Sequence, residues 1–203
     1  MIEAVAQAAG RPVSRETFDK LREFTRLLED ESARQNLISV ATLAALWKRH
    51  IIDSAQLVRF EPQRGSTWID IGSGAGLPGV VIACLVEGPV TLAEPRSLRA
   101  RFLEQTVKTL GLRATIIQSK AERINGSYEV ITGRAVASMT RFLTMCDHLS
   151  TGKTCWVLPK GRSAQSELEE ARRSWQGVFH VEQSVTDPDA KIVVGTGVRA
   201  LKR

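Results

Sequence analysis

The chain has 203 residues, 43% of them hydrophobic and 25% charged. That balance suits one globular domain, or one domain with a small appendage, and excludes disorder, collagen-like repeats and low-complexity structure. Twenty-eight Lys and Arg against 22 Asp and Glu give a net charge of +6, which favours a polyanionic partner without naming one.

In chain order, Ser14 is placed to cap a helix running to about Ala33, with Phe18, Leu21, Phe24 and Leu28 at helical spacing. A second helix is expected from Thr42 to Arg59, with Leu43, Leu46, Trp47, Ile51, Ser54, Leu57 and Val58 on its apolar face. His50 falls on that face; with Asp53 three residues on, it reads either as a buried histidine satisfied by Asp53 and locking the helix to the main domain, or as a contact to RNA or the cofactor mouth. Glu61 to Ser66, with Pro62 and Gly65, reads as a linker. The expected organisation is therefore a helical segment, residues 1–62, packed on a larger unit, residues 63–203.

The larger unit alternates. β-rich runs at Thr67–Ile71, Val90–Glu94, Ala114–Gln118, Tyr128–Thr132 and Thr154–Leu158 are separated by helical patterns at Pro78–Val86, Ser97–Leu110 and Ser138–Leu149. A helix over Ala164–Trp175 follows, then strand-like runs at Val178–Val185 and Lys191–Val194, close enough to pair as a hairpin. Seven strands with intervening helices predict an α/β fold with a doubly wound, mostly parallel sheet. In such folds ligands bind beyond the carboxyl ends of the strands. Trp68, Phe102 and Trp156 are expected in the core, since aromatics at 5% make no stacking array.

The first strand runs into Gly72-Ser73-Gly74-Ala75-Gly76-Leu77-Pro78-Gly79. Gly74-x-Gly76-x-x-Gly79 matches a dinucleotide fingerprint, and Glu94, twenty residues on, is placed to hold a ribose. Asp70 to Gly76 also reads Asp-x-Gly-x-Gly-x-Gly, the S-adenosylmethionine pattern, with the same Glu94. A purely structural turn is the third reading. Asp70 favours S-adenosylmethionine: an acid at the strand mouth suits an ammonium and a sulfonium and is poorly matched to a pyrophosphate.

Most of the charge excess lies after residue 66, with eighteen basic against thirteen acidic residues. Arg96, Arg99, Arg101, Lys108 and Arg113 form one concentration; Arg199, Lys202 and Arg203 form another. Such clusters serve nucleic-acid binding when they share a face. Cys84, Cys146 and Cys155 are odd in number and contain no Cys-x-x-Cys pair, so no zinc site, metal site or disulfide is expected. No run approaches about 18 uninterrupted apolar residues, and Met1 to Gly10 lacks the features of a secretion signal. A cytoplasmic location is expected.

An ordered set of motifs goes further. Asn36-Leu37, Arg49-His50-Ile51-Ile52-Asp53-Ser54, the Asp70–Gly79 loop, Glu94 with Arg99 and Phe102-Leu103, Ala121-Glu122, Arg134-Ala135 and Lys160-Gly161 stand in this order. With them the chain resembles the ribosomal RNA small subunit methyltransferase G family, also called glucose-inhibited division protein B, over about residues 34–170. It departs from the family's usual pattern at Pro95, at Leu98-Arg99 and at Gly133. The resemblance implies a class I S-adenosylmethionine-dependent methyltransferase fold and methyl transfer to N7 of guanine 527 in 16S ribosomal RNA. It implies a cofactor pocket built from Gly72, Gly74, Gly76 and Leu77, joined by Ala121 and Glu122 after strand three and Arg134 after strand four. A class I methyltransferase acting on another RNA or a small molecule is the alternative.

Guanine N7 carries no proton, so this reaction needs no general base, and no catalytic residue is assigned. Orientation and exclusion of water are the devices expected. The major groove of A-form RNA is deep and narrow, so the target is expected to be unpaired. Arg49, Arg96, Arg99, Arg101 and Lys160 are the expected RNA contacts. The expected partner is 16S ribosomal RNA or the small ribosomal subunit, with neither DNA nor membrane, and the chain is expected to act as a monomer.

Overall fold

The computed structural model describes residues 1–35, 37–38 and 45–201. Thr42, Leu43, Asn36, Lys202 and Arg203 lie outside the described residues.

The chain begins with a helix that the sequence reading did not anticipate, α1 (Ile2–Ala9). It is short and its buried face is only Val5, Ala8 and Ala9, too little for a periodic signal. Gly10 ends it in a left-handed conformation, φ 64°, returning its N–H to Ala6 and Gln7 carbonyls. Next is α2 (Arg15–Gln35). Ser14 caps it as expected: its Oγ accepts the Thr17 N–H at 3.0 Å. Leu21, Phe24 and Leu28 are fully buried in one apolar cluster with Leu77, Val80 and Leu103. The second expected helix is present over 47–60 as one irregular helical segment, α3. It opens as a wide π turn (Trp47–Ile52), passes through one α turn (Asp53–Ala55) and tightens to 3₁₀ (Gln56–Phe60).

Glu61–Ser66 is not a free linker. The Glu61 carboxylate accepts Arg11 Nη2 at 2.7 Å and Trp68 Nε1 at 3.5 Å, tying α1 to the entry of the sheet.

The sheet has seven strands: β1 (Trp68–Ile71), β2 (Val90–Ala93), β3 (Ala114–Ile117), β4 (Val130–Thr132), β5 (Cys155–Lys160), β6 (Trp175–Gln183) and β7 (Lys191–Ala200). Their order is β3-β2-β1-β4-β5-β7-β6. The first five are parallel; β7 lies antiparallel between β5 and β6. Helices α4 (Gly79–Leu85) and α5 (Ser97–Leu110) pack one face, and α6 (Met139–Cys146) and α7 (Ala164–Ala171) the other. Burial on both faces explains why β1 reads Trp-Ile-Asp-Ile with no alternation.

Two boundaries differ most from expectation. Helix α7 stops at Ala171, and Trp175 opens β6 instead of closing the helix; its ring is buried beside Trp156 and Val198. Strand β7 continues to Ala200, well past Val194. Gly195 and Gly197 conceal it in the sequence, yet Gly195 is where the Phe179 ring packs: a Cβ there would lie 2.8 Å from Phe179.

The strand order reverses between β1 and β4. That crevice, at the strands' carboxyl ends, is the switch point where open α/β sheets bind ligands. Among the described residues no helix is long and apolar enough to cross a membrane. The three cysteines are unpaired, and burial pushes the thiols of Cys84, Cys146 and Cys155 up to about 12, 12 and 11, so they are poor nucleophiles.

Candidate functional site

At the switch point lies a cavity of about 370 Å³, lined by Gly72, Gly74, Leu77, Glu94, Arg96, Arg99 and Arg134 among others. The loop that forms it depends on glycine for conformation: Gly72, Gly74 and Gly76 have φ of 69°, 54° and 85°. Gly72 and Ser73 donate their N–H groups to the Ala93 carbonyl at 2.8 and 3.0 Å, closing the loop over the end of β2. Gly76 does not line the cavity. It faces inward, where a Cβ would meet Val80 at 2.7 Å and Phe24 at 3.1 Å. Its role in the loop is packing rather than contact.

Glu94 is 3% exposed. Its Oε2 accepts the Gly74 N–H at 2.9 Å and its Oε1 the Arg96 N–H at 2.8 Å. A carboxylate has about four lone-pair sites, so each oxygen keeps one for ligand hydroxyls while bracing the loop.

Asp70 corrects the argument made from its sequence position. It does not face the cavity. At 1% exposure its Oδ2 accepts the Gly79 N–H at 3.0 Å, holding the start of α4, and no described residue bonds to Oδ1. Burial pushes its carboxyl up to about 7, against the downward pull of the Gly79 N–H and Arg134. The folded state therefore keeps a proton that the unfolded chain loses near pH 3.8. The stability from this group is complete below that pH and is lost as pH rises through about 7. Asp70→Asn is expected to flatten melting temperature against pH between about 4 and 7. An unchanged slope would assign the effect to other groups.

Leu77 and Arg134 line the cavity as expected. Ala121 and Glu122 do not: they form a 3₁₀ turn beyond β3, Ala121 buried and Glu122 exposed, apart from the lining residues. Arg134 meets two side chains of α3, with Nη1 3.5 Å from Asp53 Oδ2 and Nη2 3.4 Å from His50 Nδ1.

His50 thus contacts Arg134, and among the described residues no hydrogen bond joins it to Asp53, whose charge acts on it only from nearby. Burial and the Arg134 charge push it down to about 4, leaving a neutral imidazole at neutral pH. Asp53 instead accepts Thr186 Oγ1 at 2.6 Å and Gln56 Nε2 at 2.8 Å. Ser184, Thr186 and Gln56 escaped the sequence reading. The Asp53–Thr186 bond spans 133 residues, and no local spacing signals it.

The basic residues separate. Arg96 and Arg99 line the cavity, and Arg99 Nη1 reaches to 3.6 Å from where a Gly74 Cβ would stand. Arg101 is exposed and lies about 200° around α5 from Arg99. Arg49 is exposed, 3.8 Å from Asp187. Lys160 departs from the expected surface role. Its ammonium is largely buried and donates to the Ala137 carbonyl at 3.0 Å and Glu167 at 2.9 Å. Gly133, where the expected pattern has Ser, is crowded: a Cβ there would stand 2.6 Å from the Phe142 ring.

A family model described as rRNA small subunit methyltransferase G matches residues 17–192. A protein of that name from Rhizorhabdus wittichii is 44% identical over 202 residues, covering 97% of this chain and 93% of its own length. Another of that name, from Zymomonas mobilis, is 42% identical over 200 residues, covering 94% and 90%. Among solved structures, a SAM dependent methyltransferase from Aquifex aeolicus superposes with a TM-score of 0.59 at 15% identity, covering 74% of this chain and 91% of that one.

Proposed function

This chain belongs to the rRNA small subunit methyltransferase G family, and from that premise we propose that it moves the methyl group of S-adenosylmethionine to N7 of guanine 527 in 16S ribosomal RNA. Methylation of small-subunit ribosomal RNA is the family's activity by name; the atom and the nucleotide are our reading. The carrying observation is Glu94, whose carboxylate accepts the Gly74 N–H at the edge of a 370 Å³ cavity at the sheet's switch point and keeps acceptor capacity for a ribose.

The residues present fit such a cofactor. Gly72 and Gly74 bring bare backbone to the wall, and any Cβ on Gly72 would stand 2.9 Å from Val136. When bound, S-adenosylmethionine supplies an electrophilic methyl on a sulfonium. Glu94 would hold the ribose, Leu77 would pack on its apolar parts, and Arg134 would meet the carboxylate as a two-toothed donor. The guanine N7 lone pair forms the new N–CH₃ bond while the S–CH₃ pair stays on sulfur; the positive charge passes from sulfur to the purine. No proton leaves, so the chain's work is to orient the base and exclude water. A neutral His50 beside Arg134 adds no competing cation.

The test is transfer of labelled methyl to small subunits purified from cells lacking the protein, followed by nuclease digestion and mass spectrometry. Labelled 7-methylguanine at position 527 is expected; label on another base or site would overturn the reading.

RNA is proposed to approach over the arginines at the cavity mouth, with the protein acting as a monomer. Because Arg99 stands against the glycine loop, Arg99→Glu is expected to weaken both cofactor and subunit binding. Arg101→Glu lies off the cavity and is expected to spare the cofactor while lowering the slope of log K against log salt for subunit binding by about 1. An unchanged slope would make the outer face of α5 an ordinary solvated surface.

A further inference from the structure

A second cavity, of about 320 Å³, adjoins the first. Arg134 and Ala135 line both and mark their shared border. Ala135 is the one non-glycine residue with positive φ, 57°, among the described residues. Such strain persists only where its surroundings enforce it. Two groups do so here. Lys160 Nζ holds the Ala137 carbonyl at 3.0 Å, and Glu167 Oε2 accepts the Met139 N–H at 2.8 Å.

Around this second cavity, donors and acceptors stand ready. Lys160 has three N–H groups; two go to Ala137 and Glu167, and no described residue takes the third. Asp53 Oδ1 is occupied by Thr186 and Gln56, whereas among the described residues Oδ2 has only Arg134, at 3.5 Å. Both side chains are mostly buried, at 11% and 20% exposure. A buried ammonium donor and a carboxylate acceptor are the complement of one edge of guanine: a carbonyl O6 beside ring N1–H and N2–H₂ donors. Adenine presents an amino donor and a bare N1 on the same edge, the wrong polarity for both. Sites built to hydrogen-bond a polar edge reject an analogue lacking it.

We propose that this second cavity receives the target guanine, extruded from the RNA, with its Watson–Crick edge read by Lys160 and Asp53. The inference rests on the guanine-N7 reading above and names the pocket and the specificity residues for it. Enzymes that act on a base commonly take it out of the stack in this way. With that edge engaged, N7 on the other ring is left free to react, on the side of the shared Arg134–Ala135 border that opens to the cofactor cavity. Asp53 ties this pocket to the β6–β7 turn through Thr186, so the loop and the base share one polar network.

Gly161 offers the test. It lines the cavity, and a Cβ built on it meets nothing within 4 Å, so a bulky side chain can be placed at the wall without disturbing the fold. Gly161→Phe is expected to lower methyl transfer to small subunits at least 100-fold while cofactor affinity and melting temperature stay as in the wild type. Gly152→Phe, equally uncrowded but at the other end of β5, is the bulk control and is expected to change nothing. Retained transfer by Gly161→Phe, or weakened cofactor binding in its place, overturns the assignment; the latter would give the cavity to the cofactor. A second arm leaves the protein untouched. Subunits assembled with 2-aminopurine at position 527 keep N7 but lack O6 and N1–H, and are expected to be methylated at least 100-fold more slowly. Equal rates would overturn the reading of the edge. Wild-type protein on guanine-bearing subunits runs beside both arms; if it transfers no methyl there, the N7 function itself has failed rather than the pocket.

Discussion

Glu94→Gln is expected to weaken S-adenosylmethionine binding by about 10- to 150-fold, the equivalent of about 1.5–3 kcal/mol for hydrogen bonds to a charged group. The shape is nearly conserved, but the chemistry is not. Both carboxylate oxygens accept backbone N–H groups, from Gly74 at 2.9 Å and Arg96 at 2.8 Å. An amide has one oxygen, so its NH₂ must face one of those N–H groups, donor against donor. The Gly74 loop would loosen and the ribose would lose an ionised acceptor together. Calorimetric titration with S-adenosylmethionine, alongside thermal denaturation, separates the two losses. Wild-type affinity in this variant would remove Glu94 from the cofactor site.

Gly79→Ala should be the most damaging single methyl. The added Cβ would lie 2.0 Å from Leu92 Cδ2 and 2.6 Å from Asp70 Oδ2. Neither neighbour can give way easily, because Leu92 is fully buried in β2 and Asp70 in β1. Overpacking of a tight core costs about 1–3 kcal/mol and sometimes more, and here it also breaks the Asp70–Gly79 hydrogen bond that seats α4. A fall in Tm on the order of 2–12 °C is expected, with loss of cofactor binding as the loop shifts. A variant that melts like the wild type would show that α4 can slide, and that the last glycine of the loop is not a packing requirement.

Gly79 also shows what one motif can carry. In the sequence it completed a dinucleotide-type spacing; in the fold it is the point of closest helix–strand approach, which is a packing need shared by nucleotide-binding folds of several chemistries. Spacing alone therefore could not choose between cofactors. The sequence position of Asp70 points it at the ligand, and in the fold it faces Gly79 instead. The residue that does line the cavity from the neighbouring strand, Glu94, was found because its distance from the loop is set by one β-α-β turn of chain.

Local periodicity and turn chemistry determined the alternation of strands and helices, the Ser14 cap, the buried faces of α2 and α3, and the glycine loop at the end of β1. Each of these depends on residues within a few positions of one another, so the sequence carries them directly. The tertiary structure alone decided which polar groups meet. Arg134 found His50 and Asp53 from 84 and 81 positions away, and Asp53 found Thr186 at a separation of 133. Lys160 turned inward to Ala137 and Glu167, and Ala121 and Glu122 fell outside the cavity. These outcomes follow from the order of the strands and from the need of every buried charge for a partner. Both are properties of the assembled sheet, and no stretch of the chain expresses them by itself.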